Sequence, residues 1–360
     1  MHLVVDAVVV RAGSSAIVIE HLLRGWTEAA PEDRVTLLVD AAGPAFAVPE
    51  GYEVVTVAPP FGGPVGAMWL RSFGVRRAAR ALRPDGVLAA VPATGLVGYG
   101  ADTGRRGLIL YDLRHELRPH QFSRGTRVSR RVSWSWTMSR ADGIYTISER
   151  TLTDLRERHP RLARPGVAAQ LGADHVDAWP TPTTDDAEAP YALAFGHFGN
   201  KNADAVIEGW AQFCRTDDRW RLRLVGMGSA DREAATARVA ELGVADRVEL
   251  MPWLDDQQFQ DCFVGAGLVI FPSDFEGFGL PAIEAMRLGI PVVVSGDPAL
   301  AEVTGGHAAV TASTSPEDLA AAVTEALALS PEQLEAGRRF TDHFAWRRTA
   351  SVVRSSLLGQ

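Results

Sequence analysis

Lysine is almost missing from this chain. Of its 36 basic residues, all but Lys201 are arginine. Such arginine bias reflects coding composition, which leaves the one exception to be explained by its place. Cysteine is scarce too: Cys214 and Cys262 cannot staple 360 residues, so no disulfide framework is expected and a reducing, cytoplasmic setting fits. No stretch reaches the roughly 20 apolar residues that span a bilayer. The apolar start, residues 1–10, carries His2 and Asp6 without a basic lead, so it reads as a buried strand and not as a signal peptide. Excess positive charge is also lacking, and a net charge of -8 speaks against a nucleic-acid partner.

What remains is an ordinary globular composition, 46% hydrophobic and 22% charged, in a chain too long for one core. Two domains are expected. Short β-branched runs alternate with amphipathic stretches throughout. Strands are expected at 3–10, 34–39, 53–57, 85–91, 107–111, 143–147 and 167–171, with helices at 15–26, 65–82, 124–139 and 149–158. Residues 179–190 hold three prolines, three threonines and an acidic cluster without periodicity, and read as a linker. Beyond it, strands at 191–195, 221–225, 247–251, 268–271 and 290–295 alternate with helices at 202–214, 230–242, 256–265, 281–288 and 316–329. The pattern predicts an α/β architecture of two doubly wound, Rossmann-like domains facing across a cleft. They occupy 1–178 and 191–335, and a helical segment at 336–360 crosses back to the first. Ligands in such sheets sit beyond the carboxyl ends of the strands.

The richest segment follows a strand that ends at Phe271. There Glu276 opens the run Gly277-Phe278-Gly279-Leu280, Pro281 stands near the helix start, Glu284 follows, and Gly289 stops the helix. Backbone amides and a helix N-terminus converge there, which suits an anion, and glycine lets a phosphate or sugar approach closely. A carboxylate such as Glu276 or Glu284 can accept two hydrogen bonds from a vicinal diol. A plainer reading has Glu284 complementing the helix dipole.

Glu276 and Glu284, with seven residues between them, resemble the glutamate-x7-glutamate motif of glycosyltransferase family 4. Phe-Pro-Ser before it and Glu-Ala-Met-Arg-Leu-Gly-Ile-Pro within and after it match as well. The resemblance runs through the C-terminal half and more loosely through the N-terminal half. It implies the GT-B fold, a nucleotide-diphosphate sugar donor, a hydroxyl-bearing acceptor, retention of anomeric configuration, and neither metal nor resident cofactor. No Asp-x-Asp pair stands where a metal would be needed. By that resemblance Glu276 contacts the transferred sugar, Glu284 the donor ribose, and the amides of Phe278, Gly279 and Leu280 the sugar and diphosphate. Rivals on the same fold are an epimerase or a phosphorylase, and a non-catalytic donor-binding subunit is a third reading.

A second match runs from Phe195 through Gly196, His197, Asn200 and Lys201 to Asn202. The family places two cations on the diphosphate here. Lys201 fits one, and a site that needs a compact point charge would keep lysine. The plain alternative is a lysine at a helix start. His197 stands where the family has arginine, and can give a second positive charge if protonated, a neutral donor, or packing.

Other positions carry weaker signals. Gly226, in Val225-Gly-Met-Gly-Ser, lacks the third glycine of a dinucleotide fingerprint and is assigned to the nucleotide pocket by resemblance. Gly13 ends the first strand and can face the donor phosphate, with a serine-capped turn as the rival. Asp112, Arg114 and His115 follow Tyr111 where the family has a His-Asp stretch, so the acceptor side is placed there. Residues 117–141 hold six arginines, Trp134 and Trp136, and no acidic residue. Such a helix suits either the anionic inner face of a membrane, as a peripheral contact, or plain solvent with its tryptophans turned inward.

Overall fold

The computed structural model describes residues 1–93, 98–100, 102–163, 165–180, 189–197 and 199–360. Most of the expected linker lies outside the described residues. The chain divides into two compact units, one of residues 1–172 with 344–360 and one of residues 173–343. The division therefore comes before the expected linker, and the return to the first unit begins at 344, eight residues later than 336.

In the first unit β1 (His2–Asp6), α1 (Ser14–Ala29), β2 (Arg34–Val39) and β3 (Glu53–Thr56) come first. Helices α2 (Gly63–Trp69) and α3 (Val75–Leu82) are joined by a π-helical turn, Leu70–Gly74. Then follow β4 (Gly86–Ala89), β5 (Arg105–Leu110), α4 (Arg114–Leu117), α5 (Arg124–Met138), β6 (Gly143–Thr146), α6 (Glu149–Arg158) and β7 (Gly166–Ala168). The seven strands are parallel, in the order β3-β2-β1-β4-β5-β6-β7. Val4, Val87, Leu108 and Ile144 on one sheet face share a core with Val75 and Ala79 of α3, Met138 of α5 and Leu155 of α6.

β1 stops at Asp6 although the apolar run continues. The Asp6 carboxylate accepts the Val8 amide at 3.2 Å and the Val10 amide bonds back to the Ala7 carbonyl, so the chain turns while still buried. The same buried Asp6 accepts the Tyr99 hydroxyl at 2.6 Å, and burial raises its pKa above the usual carboxylate range.

The second unit repeats the plan with β8 (Tyr191–Phe195), α7 (Ala203–Phe213), β9 (Arg221–Val225), α8 (Ser229–Glu241), β10 (Val248–Leu250), α9 (Asp256–Val264) and β11 (Leu268–Phe271). It continues through α10 (Leu280–Arg287), β12 (Val292–Val294), α11 (Pro298–Thr304), β13 (Ala309–Val310), α12 (Pro316–Leu327) and α13 (Pro331–Phe340). Its six parallel strands run β10-β9-β8-β11-β12-β13. β8 and β11 lie side by side, with Ile270 opposite Ala194, and the strand order reverses between them. That junction is where an open α/β sheet leaves a crevice at its carboxyl edge.

The last helix, α14 (Trp346–Leu358), packs on α1. At Gly25 the two backbones come so close that a Cβ would collide with the Trp346 carbonyl group. The Arg354 guanidinium reaches Asp33 at 2.7 Å and the Thr349 hydroxyl donates to the Gln170 carbonyl. Among the described residues no helix is long and apolar enough to cross a membrane.

Candidate active site

Two loops leave the sheet of the second unit at the β8/β11 junction, and side chains zip them together. Asn200 sits in a short 3-10 turn, Gly199–Lys201, after β8. Its amide donates to the Ser273 hydroxyl at 2.9 Å and the Phe275 carbonyl at 3.0 Å, while Ser273 donates back to the Asn200 carbonyl. Asn202 takes a left-handed conformation at the start of α7 and sends its amide to the Pro272 carbonyl and the Asp274 carboxylate. This lattice fixes the intervening Lys201. Its ammonium lies 2.6 Å from Glu276 Oε1 and 4.0 Å above the centre of the Phe271 ring, largely out of water. The lysine is therefore not a surface residue at a helix start, since its charge is turned inward onto the first glutamate.

The loop of Glu276, Gly277, Phe278 and Gly279 runs into α10. Phe278 is buried, and Gly279 caps the helix with φ 110°, a conformation that favours glycine. The helix begins one residue earlier than expected, at Leu280, so Pro281 occupies an early position where its missing amide costs nothing. First-turn amides have no partner inside their own helix. No acidic residue stands in that first turn, so Glu284 is not a dipole-complementing residue. It is buried one turn further on, where His175 Nε2 lies 3.0 Å from its Oε1.

His175 was not singled out in the sequence. It belongs to a 3-10 turn, Asp174–Ala178, that α10 grips twice: at His175 through Glu284, and at Asp177 through Arg287 at 2.6 Å. Trp179 closes the turn, its ring 5.7 Å from His175 and 5.4 Å from Phe263.

His197 follows β8, its ring 5.1 Å from that of Trp253. Burial, with the Lys201 charge adding to it, lowers its pKa to about 4. In this structure the imidazole is therefore the neutral form at pH 7, a hydrogen-bond donor or a packed ring. Gly226 turns at φ 81° beside it, and a Cβ there would lie 3.1 Å from His197 Nδ1. Gly226 thus gives the imidazole room.

The first unit treats its expected site residues differently. Gly13, not a serine, caps α1, with φ 121° and open space around it. Asp112 accepts the Arg114 amide at 2.8 Å in a local turn, and Arg114 donates to Gln121 at 2.6 Å. His115 is 1% exposed, edge-on to Trp134 at 4.6 Å, and burial lowers its pKa to about 4. Neither ring nitrogen has a hydrogen-bond partner among the described residues. In this structure the ring belongs to the core of the first unit and not to an open surface.

Residues 177–341 match the family model described as Glycosyl transferases group 1. The chain is 36% identical over 120 residues to the MMP alpha-(1->4)-mannosyltransferase of Mycolicibacterium hassiacum, covering 31% of this chain and 29% of that one. It is 36% identical over 167 residues to the D-inositol 3-phosphate glycosyltransferase of Segniliparus rotundus, covering 43% and 36%. The matched stretches thus span about a third of those relatives. Among solved structures, HepE of Anabaena in complex with UDP and glucose aligns over 100% of both chains, with a TM-score of 0.77 at 16% identity. The fold is GT-B.

Proposed function

We propose that this GT-B chain, with its group 1 glycosyl transferase sequence over residues 177–341, is a retaining glycosyltransferase. It moves a sugar from a nucleotide-diphosphate donor to a hydroxyl of a glycan, a lipid-linked saccharide or a small glycoside. The observation that carries this reading is the meeting, beyond β8 and β11, of a buried lysine paired with a half-buried glutamate, a glycine loop opening α10, and a buried second glutamate.

Lys201 and the first-turn amides of α10 face the diphosphate. Glu276, held in place by Lys201, contacts the transferred sugar, and Glu284 accepts from the ribose. As the bond from the anomeric carbon to phosphate breaks, negative charge gathers on the leaving oxygen, where fixed cations and amide dipoles stabilise it most. The acceptor oxygen bonds to that carbon on the same face and its proton passes to the leaving phosphate, so no protein base is needed. Residues of the chain supply the positive charge, and no metal or resident cofactor takes part.

A binding screen of nucleoside diphosphates and their sugars, followed by transfer assays with the tightest, tests this. An α-linked donor should give an α-linked product by NMR, with turnover unchanged in excess chelator. Inverted product, or turnover lost in chelator and restored by magnesium or manganese, would overturn the mechanism. Donor isomerised without acceptor would make the chain an epimerase, and donor bound without any reaction would make it a binding subunit.

A further inference from the structure

The catalytic reading leaves one face of the first unit without a role. A chain of net charge -8 has no acidic residue between Glu53 and Asp85, nor between Glu116 and Asp142, yet those stretches hold five and six arginines. They form α2, the π turn, α3 and α5, and α3 and α5 pack on the same sheet face. Residues 98–100 run between them: a Cβ on Gly100 would meet Arg76 at 3.1 Å, and one on Gly98 would meet Arg140 at 3.5 Å. Asp102 is exposed there and pairs with the equally exposed Arg80, which offsets its charge, while Arg71 and Arg77 are exposed as well.

The outward sides of these helices are also apolar. On α5, Val128 and Val132 are each 64% exposed and Trp136 is 39% exposed, spaced four residues apart in one row. Exposed Arg124, Arg127 and Arg131 flank that row, and the Arg140 guanidinium stacks on Trp136 at 3.1 Å. Trp134 turns inward, against His115. On the α2 side, Val65 is 60% and Met68 55% exposed, with Phe61 and Phe73 beside Trp69.

We infer that this face docks on an anionic lipid bilayer, with α5 lying along the surface, its valines and Trp136 entering the headgroup boundary and its arginines meeting lipid phosphates. Protruding apolar side chains among predominantly positive charges suit a bilayer, which offers both an apolar interior and a negative surface. Nucleic acid would use the arginines but leave the valines in water. The inference is independent of the proposed reaction.

Flotation of the full chain with vesicles tests it, using phosphatidylcholine alone or with a third of phosphatidylglycerol. Binding should need the anionic lipid and weaken with salt. Replacing Arg124, Arg127 and Arg131 together with Gln should weaken it by about a hundredfold, at roughly fivefold per arginine. Val128→Ser with Val132→Ser, and separately Val65→Ser with Met68→Ser, should each weaken it about tenfold. All these residues are exposed, and unchanged thermal unfolding checks that the variants fold. Equal binding to both vesicle types, no binding to either, or full binding by the arginine variant would overturn the proposal. So would tight binding to duplex DNA in place of vesicles.

Discussion

Lys201 holds two groups with one charge: Glu276 at 2.6 Å and, in the proposed reaction, the donor diphosphate. Because phosphate charge grows toward the transition state, Lys201→Ala should lower the transfer rate about a hundredfold or more while weakening donor binding less. Lys201→Arg should recover part of that, since a planar fork cannot put its charge at the same point. As the only lysine, it also permits a chemical test. An amine-directed reagent should label Lys201, bound nucleoside diphosphate should shield it, and full activity in labelled protein would remove it from the site. Glu276→Ala should chiefly slow transfer and Glu284→Ala chiefly weaken donor binding, by about ten- to a hundredfold. His175 meets Glu284, and in the proposed reaction it acts on the donor through that carboxylate. His175→Ala should weaken donor affinity about tenfold with little change in turnover, and His175→Gln, which keeps a donor, should recover most of it. Added to Glu284→Ala, loss of His175 should cost nothing more; additive losses would mean that His175 does not act through Glu284.

α10 gathers the site because its two ends are built differently. At its start, Gly279 stands at φ 110° and a Cβ would lie 2.6 Å from Leu300. Past its end, Gly289 stands at φ 73° with nothing within 4 Å. Gly289→Ala should therefore cost only backbone strain, about 1–2 kcal/mol, and leave donor binding intact. Gly279→Ala adds a clash of about 1–3 kcal/mol and shifts the first-turn amides, so urea unfolding and donor titration should both register it. Equal donor affinity in the two variants would show that the loop geometry does not matter. Much of this element was legible in the sequence, because a buried strand, a glycine loop, an early proline and a final glycine follow one another locally. The same holds for the alternating runs that announced two parallel sheets. What was not legible depends on partners far along the chain. His175 meets Glu284 across 109 positions from a segment with no periodicity. The Asp6 turn hides inside an apolar run, and nothing local distinguishes His115 in a core from a histidine in a cleft.

Each unit holds a histidine in the neutral form, the buried His115 in the first and the half-buried His197 in the second, both with a pKa of about 4. An unfolded histidine takes up a proton near pH 6.5, so between there and about 4 the unfolded chain binds more protons than the folded one. Stability should be complete above pH 6.5 and fall as the pH drops toward 4. Melting temperatures across that range check this, and His115→Phe, which keeps a ring against Trp134, should flatten part of the slope. A flat profile in the unaltered protein would mean that the two imidazoles are solvated. The route of the chain through its units has a further outcome. α1 needs α14 at Gly25, and the Asp33 carboxylate needs Arg354, yet the whole of residues 173–343 separates them. On a ribosome the second unit therefore emerges, and can fold, while the first still waits with one helix face bare. Domains fold as units during synthesis. Here the half that starts first finishes last, and in the interval its α1 surface stays open to chaperones and to misassembly.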